Sequence, residues 1–119
     1  MESLQISKEQ CEKAIELMKR IKTLQNNQDF KKVIEECYLK EEPVRLTMLL
    51  ADPSITMNKD GETVTKDIIN MLKGIGSFNN FIEGSIRFGE MAQKQLMLIE
   101  EHERENYKNT VVDITEVGE

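Results

Sequence analysis

The chain of 119 residues is long enough for one small domain and too short for two independent hydrophobic cores. Aromatic residues make up 5% with no Trp, beside 39% hydrophobic and 32% charged residues, which favours helices packed by Leu, Ile and Met over a β-sandwich. The net charge of -6 opposes the binding of a phosphate backbone, so we expect no nucleic-acid surface. The composition therefore predicts an all-α domain.

The first predicted helix begins at Ser7. Ser7 and Gln10 form a capping-box pair, in which each side chain satisfies a backbone amide of the other. Apolar residues then recur at helical spacing until the pair Asn26-Asn27 interrupts the pattern. The apolar stripe consists of Cys11, Ala14, Ile15, Met18, Ile21 and Leu24.

Two shorter helices are predicted next. Asp29 is a candidate N-cap for a helix that should stop near Lys40. Pro43 cannot continue that helix because its ring clashes with the preceding turn, but it suits the first turn of a new one. The pair Asp52-Pro53 should end that helix, since the residue before a proline avoids helical angles.

The region near residues 55–65 carries β-favouring residues on both sides of a turn signal, so it fits either a short β-hairpin or an ordered loop. We favour the loop because an isolated two-stranded hairpin is marginal. Thr63 or Thr65 should cap the following helix, and Gly74 and Gly76 should end or bend it.

The last predicted helix runs from Ser77 to about Tyr107 and is the longest of a small helical bundle. Small residues recur on one of its faces, where another helix backbone could approach closely. That helix is either the first helix of the same chain or a helix of another chain. The candidate interaction residues are Ser85, Gly89 and Ala92, flanked by Phe81 and Phe88.

Residues 1–109 are expected to form a single helical domain, and residues 110–119 an extended or disordered acidic tail. Apolar residues spaced along this tail suit binding to a groove on a neighbouring protein. They are Val112, Ile114 and Val117.

No group of residues in the sequence points to a reaction. His102 lies in a charged run without a nucleophile beside it, and a single histidine cannot complete a zinc site. Cys11 and Cys37 occupy apolar helical positions, so we expect two buried thiols. The chain also has neither a signal-peptide pattern nor an apolar run long enough to span a membrane. We therefore expect a protein that is not an enzyme, has no catalytic residue, binds no cofactor or metal and does not associate with a membrane.

The segment around Asn58, Asp60 and Gly61 matches the spacing of a calcium-binding EF-hand loop only weakly. Thr56 stands where the first aspartate is needed, and Asp67 stands in place of the bidentate glutamate. A solvated turn is the preferred interpretation.

Four segments resemble small helical proteins of unknown role encoded by tailed bacteriophages. They are Tyr38–Leu46 (YLKEEPVRL), Leu49–Ser54 (LLADPS), Ile75–Phe78 (IGSF) and Gly89–Ala92 (GEMA), within a likeness that covers roughly residues 30 to 105. The resemblance implies a phage setting and carries over no catalytic residue. The chain is also similar to prefoldin-like subunits in its helix, hairpin, helix order, although Pro43 and Pro53 depart from that pattern.

From these features we expect a non-enzymatic helical phage protein that acts through protein-protein contacts as a virion or assembly component. Its partners would be phage structural proteins or further copies of itself, in the cytoplasm of the infected host and in the virion. The alternative is a small acidic regulatory protein that binds and inhibits a host enzyme, which the charged run around Glu100 to Glu105 motivates.

Overall fold

The computed structural model describes the backbone of residues 6–118 and the side chains of residues 6–108. Every regular element within these residues is helical, which confirms the predicted all-α class. The elements are α1 (Lys8–Gln25), α2 (Gln28–Phe30), a π-helical segment (Lys31–Glu41), α3 (Glu42–Leu50), α4 (Pro53–Thr56) and α5 (Gly61–Gly118).

The start of α1 has the reciprocal hydrogen bonds that the sequence predicts. The Gln10 amide donates to Ser7 Oγ at 3.1 Å, and the Ser7 amide donates to Gln10 Oε1 at 2.9 Å. These bonds satisfy donors that a helix start otherwise leaves unpaired. The helix ends at Gln25, immediately before the predicted break.

The cap of α2 is Asn27, so the prediction of Asp29 as the cap is wrong. Asn27 has an extended backbone, and its side chain accepts a hydrogen bond from the Phe30 amide at 3.0 Å. An N-cap residue lies outside the helix with extended dihedral angles, whereas Asp29 already lies inside the first turn of α2.

The backbone passes from α2 through the π segment into α3 with helical dihedral angles throughout. The predicted stop near Lys40 is instead a change of hydrogen-bond register, because the Glu42 amide still donates to the Cys37 carbonyl, five residues back. Pro43 follows in the first turn of α3, where a missing amide donor matters least. The proline therefore coincides with the change from the π to the α register.

A turn at residues 57–60 joins α4 to α5, and the β-hairpin alternative is wrong. Asp52 caps α4 by accepting from the Ser54 amide at 2.9 Å, so Ile55 is helical. The helix α5 already begins at Gly61, ahead of the predicted caps Thr63 and Thr65. Gly61 is needed there because a Cβ at this position would overlap the Thr56 carbonyl oxygen.

The helix α5 runs without interruption through Gly74 and Gly76, so the predicted end at these glycines is wrong, and the alternative of a bend stays a prediction. Each glycine costs about 1 kcal/mol of helix propensity. Packing offsets this cost, because Leu72 and Ile75 join the same hydrophobic cluster on either side of Gly74.

The backbone of α5 also continues to Gly118, across the segment for which the sequence predicts an extended or disordered tail. The side chains of Val112, Ile114 and Val117 lie outside the described residues, as does Glu119. Their predicted contacts therefore stay predictions.

The chain divides into two compact units. Unit 1 comprises residues 1–19 and 85–119, and unit 2 comprises residues 20–84. In unit 1 a buried cluster consists of Cys11, Ala14 and Ala92, with Ile6, Ile15, Leu96 and Ile99 packed against it, and Met18 is buried as well. In unit 2 a buried cluster consists of Leu46, Ile68 and Ile75, with Tyr38, Leu39, Leu49, Leu50, Val64 and Leu72 packed against it, and Ile21 and Ile82 are buried as well. The prediction of a single domain over residues 1–109 stays a prediction.

Candidate protein-interaction surfaces

The small-residue face of α5 packs against α1 of the same chain at Gly89 and Ala92. Gly89 is buried, and a Cβ added to it would overlap Met18 Cβ and lie 2.8 Å from the Met18 sulfur. Ala92 is fully buried in the cluster that contains Cys11 and Ala14. The sequence alone did not decide whether these two residues pack against the first helix of the same chain or against another chain. In the structure they pack against the first helix of the same chain.

The remaining candidates on α5 are more accessible. Ser85 is half-buried, whereas Phe81 is 56% exposed and Phe88 is 41% exposed. A large aromatic side chain left this accessible on a helix has apolar area to bury against another molecule.

A second apolar row lies beside the packed face of α5 in unit 1. Its members are Phe88, Met91, Gln95 and Leu98, which follow one another at steps of three, four and three residues; we call this row the α5 edge. Phe88 and Met91 are each 41% exposed, Leu98 is 63% exposed, and Gln95 is half-buried. Apart from the polar Gln95, the α5 edge is therefore apolar and largely uncovered by the described part of the chain.

Sequence reasoning missed Met91, Gln95 and Leu98 as candidates, although their spacing was visible in the sequence. Leu96 and Ile99 continue the apolar side of α5 directly beside this row, so spacing alone does not separate the two. The burial of Ala92 separates them, because it identifies which row faces α1.

Charged residues accompany the α5 edge at intervals of seven. Arg87, Lys94 and Glu101 are exposed; Arg87 directly precedes Phe88, Lys94 directly precedes Gln95, and Glu101 follows Leu98 by three residues. The flank thus changes from basic to acidic along the helix. A shallow groove of about 440 Å³ opens beside Leu98, lined by Lys94, Met97, Leu98, Glu100, Glu101 and Arg104.

A separate exposed patch lies on α3 in unit 2. Val44 is 63% exposed and Met48 is 66% exposed, and they stand one helical turn apart. We call these two residues the α3 patch. Arg45, also on α3, donates from Nε to Glu42 Oε1 at 2.9 Å and from Nη2 to Glu42 Oε2 at 2.5 Å. Its hydrogen bonds lower the pKa of the Glu42 carboxyl, and this carboxylate raises the pKa of the Arg45 guanidinium.

An ion pair ties the start of α1 to α5 within unit 1. The ammonium of Lys8 lies 3.2 Å from Glu103 Oε1, and this hydrogen bond to Glu103 raises the pKa of Lys8. Both side chains are about half exposed, so the pair contributes little to stability. Every side chain from residue 101 to residue 108 is exposed.

The two thiols have different environments. Cys11 is buried as predicted, whereas Cys37 is exposed, so the prediction for Cys37 is wrong. The cause is the π segment, whose hydrogen bonds span five residues instead of four. Ile34 is partly buried, as are Tyr38 and Leu39, which follow it by four and five residues, and Cys37 falls outside that row.

Among the residues whose side chains are described, no three His, Cys, Asp or Glu residues lie together in a group that could hold a metal ion. None of the described helices combines the length and apolar character needed to cross a bilayer.

Comparisons with models of known protein families, with curated proteins and with solved structures found no match.

Proposed function

We propose that this chain is a non-enzymatic helical protein that acts through contacts with other proteins. The observation that carries the proposal is the apolar surface that the described part of the chain leaves uncovered, at the α5 edge and at the α3 patch. Contiguous exposed apolar side chains on helices are typical of surfaces that another protein buries. For the free chain we propose a helical bundle in which the small-residue face of α5 packs against α1.

We further propose that these contacts serve a virion or its assembly, in a tailed bacteriophage. The support is the resemblance of the four segments from Tyr38 to Ala92 to small helical phage proteins. Under this proposal, the partners are phage structural proteins or further copies of the chain.

Quantitative mass spectrometry of purified virions and of assembly intermediates tests the proposal. We expect the chain in a fixed, multiple copy number per particle. Met48→Glu should reduce its incorporation, because a charge in the α3 patch opposes apolar burial. Thr47→Glu is the matched control, since Thr47 is an exposed polar neighbour and the charge change is the same. Absence of the chain from particles and intermediates would contradict the phage role.

The alternative is an acidic regulator that occupies the basic groove of a host enzyme. Charge distribution favours it, because unit 1 holds 12 Asp and Glu against 7 Lys and Arg, whereas unit 2 is nearly balanced. An electrostatic complex of this kind should weaken steeply as salt rises. Measuring the affinity for host enzymes at low and high ionic strength separates the two proposals, since burial of an apolar patch is much less sensitive to salt.

A further inference from the structure

We propose that the α5 edge is the surface through which two copies of this chain pair, with their α5 helices antiparallel. This rests on the proposed function, because it names a second copy as one of the partners that the exposed apolar surface serves. Around the helix, the edge lies on the other side of Ala92 from Leu96, which packs against the cluster shared with α1, so pairing leaves the contact between α1 and α5 intact.

The spacing of the edge identifies the occupant as a helix. Steps of three and four residues are the repeat of a coiled-coil seam, in which a partner helix inserts its own side chains between successive rows. The backbone of α5 is internally hydrogen-bonded, so it offers no strand edge to an extended peptide. From Phe88 to Leu98 the seam is about 15 Å long, which matches about three turns of a second helix.

The pattern of residues identifies that helix as another α5. In an antiparallel pair, Phe88 of each copy lies opposite Leu98 of the other, and Met91 lies opposite Gln95. Each of the four residues of the α5 edge then contacts a residue of the other copy, and each contact occurs twice about one two-fold axis. A second copy can therefore cover the edge without any other protein.

The flanking charges select the antiparallel orientation. Antiparallel pairing brings Arg87 near Glu101 of the other copy at both ends of the seam. Parallel pairing would instead place Arg87 and Lys94 beside the uncharged Ala92 and Ile99 of the other copy, so neither would meet an opposite charge. Lys94 lies near the axis in the antiparallel pair and faces Lys94 of the other copy, so we expect a dissociable dimer rather than a permanent one.

Sedimentation velocity of the full chain over a wide concentration range tests the pairing. We expect a reversible monomer and dimer equilibrium, which Leu98→Glu weakens by at least about tenfold because it places a charge in the seam. Gln93→Glu is the matched control, since Gln93 is exposed and lies off the seam. Circular dichroism shows whether each variant keeps its helical content, and Leu98, being largely exposed, is not needed for folding.

A charge exchange tests the orientation. Arg87→Glu and Glu101→Arg should each weaken the dimer, and the double variant should restore it, because the opposite charges face one another again. A double variant that stays as weak as the single variants would overturn antiparallel pairing. A dimer that Leu98→Glu leaves unchanged would overturn the assignment to the α5 edge.

A chain that stays monomeric at every concentration would overturn self-pairing altogether. That result would not decide the proposed function, because the copy number in particles and the effect of Met48→Glu report on the α3 patch independently of the α5 edge.

Discussion

The two hydrophobic clusters of this chain differ in the size of the residues that form them. In unit 1 the buried cluster consists of the small residues Cys11, Ala14 and Ala92, and Gly89 leaves room for the buried Met18 side chain. In unit 2 the corresponding residues are the branched aliphatics Leu46, Ile68 and Ile75. Small residues let two helices approach closely, whereas large ones fill the space between helices that stay apart. Unit 1 should therefore tolerate enlargement poorly, and unit 2 should tolerate truncation poorly.

The largest effect is expected from truncation in unit 2. Leu46 is fully buried, so Leu46→Ala should lower the free energy of unfolding by about 2 to 5 kcal/mol through lost burial and the cavity left behind. Met48→Ala, on the same helix but 66% exposed, should change it by less than about 0.5 kcal/mol. Urea denaturation of both variants measures the difference, and equal effects would contradict the placement of the unit 2 core.

A smaller loss is expected from enlargement in unit 1. Ala92→Leu adds atoms where Cys11 and Ala14 already pack, so it should lower the free energy of unfolding by about 1 to 3 kcal/mol. The adjacent Gln93 is exposed, and Gln93→Leu serves as the control with little expected effect. Thermal unfolding followed by circular dichroism compares the two. If Ala92→Leu were the milder change, α1 would not lie against this face of α5.

The smallest effect is expected from the charged pair on α3. Arg45 lowers the pKa of Glu42 in the folded chain. The pair therefore stabilises the fold at pH values above 4.5, the ordinary pKa of this carboxyl group. That contribution should disappear as the pH falls through the lowered folded pKa. The midpoint of thermal unfolding should therefore be higher for the natural chain than for Arg45→Met at neutral pH, and the gap should close in acid. A gap that persists unchanged in acid would show that the Arg45 stem, rather than its charge, stabilises α3.

Much of the helical layout could be predicted from the sequence because its signals are local. The capping pair Ser7 and Gln10, the break at Asn26-Asn27 and the stop at Asp52-Pro53 each act through a few neighbouring residues. The failures occurred where packing overrode local preference. Val64 is β-branched and yet helical, because it packs against the unit 2 core.

The π segment could not be predicted, because helical patterns are read with a repeat of 3.6 residues. The wider turn moved Cys37 to the surface while Tyr38 remained near the core, where its ring meets Phe78 edge to face with centroids 5.7 Å apart. Similarly, the sequence shows that Ser85, Gly89 and Ala92 favour a close helix contact, but only the position of Met18 identifies that helix as α1. The α5 edge lies beside that face and is left exposed by α1.

Two glycines of the same helix give the most direct test of this account. Gly89 faces Met18 with no room for a Cβ, whereas a Cβ at Gly76 would meet nothing within 4 Å. Gly76→Ala should raise the free energy of unfolding by about 0.5 to 1 kcal/mol through helix propensity, and Gly89→Ala should lower it because Met18 must move. Urea denaturation of the two variants should therefore give shifts of opposite sign. Stabilisation of similar size by both substitutions would contradict the packing of α1 on this face of α5.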